Sequence, residues 1–367
     1  MTENNRTGPS LYTAEMMAAQ TGEITDSARG HLLIAGCTSG TYLSSRVAER
    51  YREELRQAGS STPIIELKNI DARFSDTETC VRLDVHVGGY DVFLFQSLLD
   101  PTMEISVDQN YMALLIGARS FRENGARHVT AVLPYLAYAR QDKPTKFRRE
   151  PTTAKLMADL SVEAGIDRAV VWDPHCDQIR GFYGKIPITM VESVSFFVEE
   201  FEEFRNREDV IAVAPDVGAS KMVTHFGRAM NVKCAVASKF RPRPEEVTIP
   251  EIIGDFRGKK IAIVLDDMIS GAGTVEALAE KLVREKHIEE VYLGASHNLC
   301  VGRALERLVR MNEKYGLKRA VITNSIPQTS EFQDLPFLSV ECLSEPFCTI
   351  INRVHYNRSV SEAFYRE

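Results

Sequence analysis

Two adjacent carboxylates followed by a loop of small residues are the most chemically suggestive feature of the sequence. Asp266 and Asp267 end an apolar stretch, and a helical pattern begins a few residues later. The loop between them consists of Ser270, Gly271, Ala272, Gly273 and Thr274. Unpaired N–H groups at a helix N-terminus attract phosphate, glycine lets it approach the backbone, and carboxylates accept hydrogen bonds from ribose hydroxyls. The pattern predicts a ribose-phosphate site, although an ordinary strand-to-helix turn with an acidic strand end would share it.

Other charged and polar side chains follow further predicted strands. They are Arg140, Gln141 and Asp142 after one strand, Asp173 and His175 after the next, Asp216 in the second half, and Lys239 and Arg241 after a later strand. In open α/β sheets, residues at the carboxyl ends of strands form the binding crevice. Cations bind polyphosphate, and histidine or carboxylate can hold a divalent metal. Each residue alone could be a surface charge or a structural side chain, but together they predict a nucleotide-phosphate and metal site.

The elements that must position these residues alternate along the chain. Apolar strand-like runs such as HLLIAG, DVFLFQS and RAVVW are each separated by a helical pattern, which predicts parallel βαβ units in an α/β fold. Aligning the chain from Gly89 with the chain from Gly258 brings the following helices and strands roughly into register, so the halves resemble diverged copies of one unit. The segment RPRPEEVTIP, residues 241–250, is predicted to be an exposed loop.

Composition excludes several classes of protein. The 367 residues are 44% hydrophobic and 26% charged, which is typical of a globular protein with hydrophobic cores. The net charge of −7 offers no general basic surface, so neither a nucleic-acid nor a membrane partner is expected. Seven scattered cysteines without a CxxC pair favour reduced thiols and a cytoplasmic location. The polar residues 1–30 are predicted to be a loosely held extension.

Nine stretches in order resemble the ribose-phosphate diphosphokinase (phosphoribosyl pyrophosphate synthetase) family. They are RFSDTET (73–79), YARQDK (138–143), REPTTAKL (149–156), WDPHCDQIRGFY (172–183), APDVGAS (214–220), SKFRPRP (238–244), LDDMISGAGT (265–274), VITNSIP (321–327) and RSVSEAF (358–364). The resemblance implies two tandem type I phosphoribosyltransferase-like domains, each a mainly parallel sheet flanked by helices. It also implies transfer of the β,γ-diphosphate of ATP to the anomeric hydroxyl of ribose 5-phosphate, with Mg²⁺ as cofactor and AMP as second product.

The resemblance also implies a domain plan. We expect an ATP-side domain over residues 31–189, completed by a C-terminal helix at 352–367. A ribose-phosphate-side domain is expected over 190–351, with a flexible catalytic loop at 239–250.

Roles for single residues follow from the matching motifs. ATP would be bound by Arg140, Gln141 and Asp142, and the adenine site would be completed by Phe74, Asp76 and Glu78 of a neighbouring subunit, which implies a homo-oligomer. His175, with Asp216 and Asp173, would hold the metal, and Lys239, Arg241 and His175 would be catalytic. Asp266 and Asp267 would bind the ribose hydroxyls, and residues 270–274 the 5-phosphate.

Departures from the family pattern leave alternatives open. The family's phosphate loop usually reads DTAGT or STGGT, whereas Gly271 lacks the hydroxyl side chain and makes the loop roomier. The acceptor could therefore be a larger 5-substituted ribose such as ADP-ribose. A non-catalytic paralogue that regulates a true synthetase is a second alternative. A type I phosphoribosyltransferase is a third, but it would not need YARQDK or a second α/β copy.

Overall fold

Strands and helices alternate over most of the described chain, which comprises residues 11–21, 27–243 and 246–364 of a computed structural model. The strands are β1 (His31–Gly36), β2 (Ile65–Leu67), β3 (Asp71–Arg73), β4 (Thr79–Val81), β5 (Tyr90–Phe95), β6 (His128–Leu133), β7 (Arg168–Trp172), β8 (Ile188–Val191), β9 (Val210–Ala214), β10 (Lys233–Arg243), β11 (Glu246–Ile253), β12 (Ile261–Ile269), β13 (Glu290–Asn298), β14 (Leu317–Thr323) and β15 (Leu338–Glu341). The α-helices are α1 (Ala14–Thr21), α2 (Thr41–Gln57), α3 (Val107–Glu123), α4 (Thr153–Glu163), α5 (Ile179–Phe182), α6 (Val194–Glu200), α7 (Ser220–Met230), α8 (Gly273–Lys286), α9 (Ala304–Lys314), α10 (Ser330–Gln333), α11 (Ser344–His355) and α12 (Ser361–Phe364). Short 3₁₀ helices occupy Thr38–Gly40 and Glu202–Phe204.

The chain divides into two compact units. Of the described residues, the first comprises 11–21, 27–100, 104–191 and 342–364, and the second comprises 101–103, 192–243 and 246–341. Each unit is built around its own sheet.

The first unit contains a six-stranded sheet in the order β2-β1-β5-β6-β7-β8, and every neighbouring pair is parallel. Leu33 of β1 lies opposite Val92 of β5, which lies opposite Val129 of β6. All three side chains are fully buried, as expected for a parallel sheet with helices on both faces. Helix α2 buries an apolar stripe at three- to four-residue spacing that includes Val47 and Tyr51.

The second unit repeats this sheet and adds one strand. Its order is β11-β10-β9-β12-β13-β14-β15, and only the β10–β11 pair is antiparallel. Without β11, both sheets have the same connectivity: the second strand of each lies at one edge, the first strand lies beside it, and the remaining strands follow in chain order. The predicted α/β fold of two mainly parallel sheets flanked by helices is confirmed.

The segment predicted to be an exposed loop over 241–250 belongs to a β-hairpin. Strands β10 and β11 pair from Val236 opposite Ile253 to Arg243 opposite Glu246, while residues 244–245 lie outside the described chain. The prediction of a loop gave too much weight to the prolines in this segment. Pro242 lies in the part of β10 beyond its last pair with β9, and Pro250 lies on the edge strand β11, so both occupy positions where a sheet tolerates proline.

The prediction that residues 1–30 are loosely held is wrong for the described part of that segment. Leu11 to Ala14 are buried, and the backbone of Tyr12 is hydrogen-bonded to the Asn352 side chain. Arg29 pairs with both carboxylate oxygens of Asp91 at 2.9 Å, and His355 Nδ1 lies 2.8 Å from the same carboxylate. Residues 1–10 and 22–26 lie outside the described chain.

The C-terminal helix expected over 352–367 differs from the structure. Helix α11 begins at Ser344 and ends at His355, and the separate short helix α12 follows after a turn in which Asn357 has φ = 53°. A left-handed residue cannot continue an α-helix, so the turn divides the segment. Residues 365–367 lie outside the described chain.

Candidate active site

The reversal of strand order in the second sheet brings the predicted acidic residues to one crevice. Asp216 follows β9, and Asp266 and Asp267 lie near the carboxyl end of the neighbouring strand β12. The chain passes from β9 to β10 on one side, and from β12 to β13 on the other side. Open α/β sheets bind ligands where the direction of these connections reverses. Oδ1 of Asp216 accepts a hydrogen bond from the backbone N–H of Gly218 at 2.9 Å, which fixes this carboxylate at the start of α7.

The carboxylates in this crevice interact electrostatically. Burial raises the pKa of Asp266 well above its ordinary value, and the negative charges of Asp267 and Asp216 raise it further. A bound cation or hydroxyl donors would relieve this repulsion. Among the described residues, no group of three or more histidine, cysteine or acidic side chains forms a ready-made metal site.

The loop of small residues leads directly into a helix N-terminus. Ala272 has φ = 57°, α8 begins at Gly273, and no side chain of the described residues caps the helix. The first N–H groups of an α-helix have no partner within the helix, and the helix dipole places partial positive charge there. The loop at residues 270–274 therefore presents a helix N-terminus close in sequence to the two aspartates, and phosphate binding there stays a prediction.

Arg307 of α9 is part of this site, and sequence reasoning missed it. Its Nη1 donates to the carbonyl oxygen of Gly271 at 2.5 Å, and its Nε lies 3.2 Å from Oε2 of Glu276. A Cβ built on Gly271 would lie 3.3 Å from Arg307 Nη1, so a side chain there would press on the guanidinium. The space left by the missing side chain at residue 271 therefore adjoins a cation. A separation of 36 residues gave no local signal for this contact.

The backbones of Lys239 and Arg241 lie in β10, in the hairpin beyond the last pairing with β9. Their side chains lie outside the described part of the structure. Their role in catalysis therefore stays a prediction.

In the first unit, the loops after β6 and β7 meet. The thiol of Cys176, directly after His175, lies near enough to Asp142 to interact with it electrostatically. Burial and the Asp142 charge raise the pKa of Cys176 to about 11. The loop after β6 is anchored by the backbone N–H of Ala154, which donates to the carbonyl of Gln141 at 3.2 Å. Asp173 has φ = 42°, and its N–H donates to the carbonyl of Val191 at 2.7 Å.

The side chains around this junction differ in exposure. Arg140, Gln141 and His175 are exposed, whereas Asp173 and Asp142 are partly buried. The first unit therefore presents a cation, an amide and a histidine in the loops that follow β6 and β7, and their roles in binding ATP and metal stay predictions.

Phe74, Asp76 and Glu78 lie at the tip of the hairpin formed by β3 and β4. The Phe74 N–H donates to the carbonyl of Glu78 at 2.9 Å, and Asp76 Oδ1 accepts from the Glu78 N–H at 3.1 Å. All three residues are exposed, and 48% of the surface of Phe74 is accessible. Thr77 holds the turn with φ = 76°, a conformation that favours glycine.

The repeated sheet and the phosphate-type loop at its crevice define a protein with two phosphoribosyltransferase-like domains. Comparison with known proteins agrees: the pattern of the N-terminal domain of ribose phosphate pyrophosphokinase matches residues 32–165, and that of the phosphoribosyl synthetase-associated domain matches residues 208–365.

Individual relatives are similar over most of their length. The ribose-phosphate pyrophosphokinase of Clostridium acetobutylicum is 38% identical over 296 residues, covering 80% of this chain and 88% of that protein. Its Bacillus subtilis counterpart is 36% identical over 294 residues, covering 80% and 87%. The crystal structure of phosphoribosylpyrophosphate synthetase from Mycobacterium smegmatis superposes with a TM-score of 0.76 at 28% identity, covering 89% of this chain and 99% of that one. The chain belongs to the ribose-phosphate pyrophosphokinase family and is a diphosphotransferase.

Across residues 11–21, 27–243 and 246–364, every helix is too short or too polar to cross a membrane.

Proposed function

We propose that the protein transfers the β,γ-diphosphate of ATP to the anomeric hydroxyl of ribose 5-phosphate, giving 5-phosphoribosyl 1-diphosphate and AMP. The observation that carries this proposal is the position of Asp266 and Asp267 beside the helix N-terminus at residues 270–274. This arrangement suits a sugar with neighbouring hydroxyls and a phosphate. The names of the relatives, which describe ribose-phosphate as the acceptor, support the same reaction.

The acceptor would be held from two sides. Asp266 and Asp267 accept hydrogen bonds from two ribose hydroxyls, and the N–H groups of residues 271–274 bind the 5-phosphate. The anomeric hydroxyl is then free to react. Its oxygen bonds to the β-phosphorus of ATP, the bond from that phosphorus to the oxygen bridging to AMP breaks, and the hydroxyl proton is released.

The donor would be bound by Arg140, Gln141 and Asp142. Lys239 and Arg241 then neutralise charge on the transferring phosphates, because diphosphoryl transfer depends mainly on positioning and charge stabilisation.

Mg²⁺ suits the acidic crevice, because a cation would relieve the repulsion between its carboxylates. Burial raises the pKa of Asp266, and the carboxylates of Asp267 and Asp216 lie close enough to raise it further. We infer that Asp216 serves the metal near the ribose, while His175 and Asp173 serve the metal on ATP. Mg²⁺ bound by these residues would supply positive charge to the phosphate oxygens. Magnesium usually takes only one or two protein carboxylates and completes its shell with water and phosphate, so a ready-made cluster of three ligands is not required.

The hairpin tip would act between subunits. Exposed Phe74 offers an aromatic face for stacking on adenine, and Asp76 and Glu78 offer acceptors, so the tip suits the ATP site of a neighbouring copy in a homo-oligomer. All seven cysteines are free thiols, which supports a location in the reducing cytoplasm.

The test is mass-spectrometric product analysis of the purified protein with ATP and Mg²⁺, with ribose 5-phosphate and ADP-ribose offered separately. The proposal predicts a diphosphorylated pentose phosphate and AMP from ribose 5-phosphate. Product from ADP-ribose alone would assign the larger acceptor, and AMP from neither would favour a regulatory paralogue.

Site variants refine this test. Asp267→Asn should lower turnover about a hundredfold or more, because it removes a charged acceptor for a ribose hydroxyl. Asp334→Asn, the same substitution at an exposed position of the second unit, should leave turnover unchanged.

A further inference from the structure

The phosphate loop is supported from α9 by a guanidinium group. Nη1 of Arg307 donates to the Gly271 carbonyl at 2.5 Å, and Nε of the same side chain lies 3.2 Å from Glu276. Both charged side chains are largely buried, with 15% of Arg307 and 14% of Glu276 accessible. A guanidinium held at two ends has little rotational freedom, so it fixes the carbonyl that it binds.

The two glycines of the loop make room for this group. A Cβ built on Gly273 would lie 3.1 Å from Arg307 Nη1, and one built on Gly271 would lie 3.3 Å from the same atom. A side chain at either position would require the guanidinium to shift by a few tenths of an ångström. Arg307 therefore packs directly against the backbone that is proposed to bind phosphate.

Charge balance adds a second effect. Glu276 lies in the first turn of α8, where its negative charge would repel a bound anion. Arg307 neutralises this carboxylate, and Arg310 Nη1 also pairs with it at 2.7 Å. The helix N-terminus thus keeps its attraction for phosphate.

We infer that Arg307 is a positioning residue that sets the affinity of the loop at residues 270–274 for the 5-phosphate of the acceptor. It acts mainly by fixing the Gly271 carbonyl, a contact that Arg310 does not make; neutralisation of Glu276 is shared by the two arginines. This inference rests on the proposed function for the identity of the acceptor. Arg307 lies in α9, outside the sequence motif of the loop, so the motif alone does not identify it.

The test measures binding of ribose 5-phosphate by titration calorimetry, separately from turnover. Arg307→Ala should weaken binding about tenfold or more and raise the KM for ribose 5-phosphate similarly, while the KM for ATP changes less than about twofold. Arg307→Lys should recover part of the affinity, because one cation can reach the carbonyl but cannot hold Glu276 at the same time.

Arg310→Ala is the matched control, because it removes a second arginine from Glu276 without touching the Gly271 carbonyl. It should change binding less than about threefold. Thermal unfolding identifies any variant that is not folded, and Arg307→Lys keeps the test decisive if Arg307→Ala is unstable. Equal affinity in folded Arg307 variants and wild type, or an equal loss in Arg310→Ala, would overturn the inference. Absence of wild-type turnover with ribose 5-phosphate would instead overturn the proposed function.

Discussion

The side-chain amide of Asn352 pairs with both backbone polar groups of Tyr12. Its Oδ1 accepts from the Tyr12 N–H at 2.7 Å, and its Nδ2 donates to the Tyr12 carbonyl at 2.8 Å and to the Tyr51 hydroxyl at 2.7 Å. Asn352 is fully buried, so the contact joins the N-terminal segment to α11 in the interior of the first unit. The segment is therefore part of the fold.

Loss of this amide should destabilise the protein. Asn352→Ala leaves the buried backbone of Tyr12 without partners, which costs about 1–3 kcal/mol in the free energy of unfolding measured with urea. The matched comparison places the same substitution in a chain that lacks residues 1–21, where the cost should be smaller because Tyr12 is absent. An identical cost in both chains would show that the Tyr12 contact contributes nothing.

Cys342 should be more reactive towards alkylation than the other half-buried cysteines with shifted pKa values. Burial acts to raise its pKa, but contacts with Ser344 and with Arg46 outweigh burial, so its pKa lies below the ordinary value. Cys300 is also half-buried, and burial raises its pKa to about 11. Because the thiolate is the nucleophile, iodoacetamide at pH 8 should label Cys342 before Cys300.

Arg46→Met should slow labelling of Cys342 and leave Cys300 unchanged. The folded-state pKa of Cys342 is depressed, so this group contributes stability above its unfolded pKa that is lost as the pH falls through the folded pKa. The variant should therefore lose more stability at pH 10 than at pH 7. Faster labelling of Cys300 than of Cys342 in the wild type would contradict the prediction.

Lys239 and Arg241 should matter for turnover far more than for ATP binding. Each cation is proposed to stabilise charge on the transferring phosphates, so Lys239→Ala or Arg241→Ala should lower kcat about a hundredfold or more. The dissociation constant of ATP, measured by calorimetry, should rise only severalfold. Lys260→Ala is the control, since Lys260 is exposed and pairs with Glu289. An equal loss of turnover in the control would refute the assignment.

Phe74 should act on the ATP site of another subunit. Phe74→Ala is expected to raise the KM for ATP about tenfold through lost stacking, whereas Val85→Ala, an exposed apolar residue of the same unit, should not. Mixing Phe74→Ala with Lys239→Ala subunits should restore activity, because a mixed site combines an intact Phe74 with an intact Lys239. Activity equal to the average of the two separate variants would exclude a shared site.

The sequence predicted those features that local patterns determine. Apolar strands alternating with helical stretches gave two parallel sheets, and the alignment from Gly89 and Gly258 anticipated their shared connectivity. Asp266 and the loop at residues 270–274 were identifiable because strand, acid pair, glycine turn and helix start are consecutive. Asp142 and His175 were identifiable because each follows an apolar strand-like run in the sequence.

Contacts between distant parts of the chain left no local pattern. Asn352 and Tyr12 are 340 residues apart, and Arg307 and Gly271 are 36 residues apart, so composition and periodicity could not pair them. The hairpin around Pro242 was wrongly predicted to be a loop. A strand tolerates proline where a neighbouring strand is absent, and the sequence does not show that β10 has no pair with β9 at this point. Each of these features depends on contacts between parts of the chain that are distant in sequence.

The most direct test of diphosphoryl transfer follows two isotopic labels from ATP. With ATP labelled separately at the β- and γ-phosphorus, both labels should appear in one pentose product in equal amounts, and AMP should carry neither. Asp267→Asn should reduce both labels in that product together. Retention of the β-label in ADP, with only the γ-label in the sugar, would indicate single phosphoryl transfer and contradict the account.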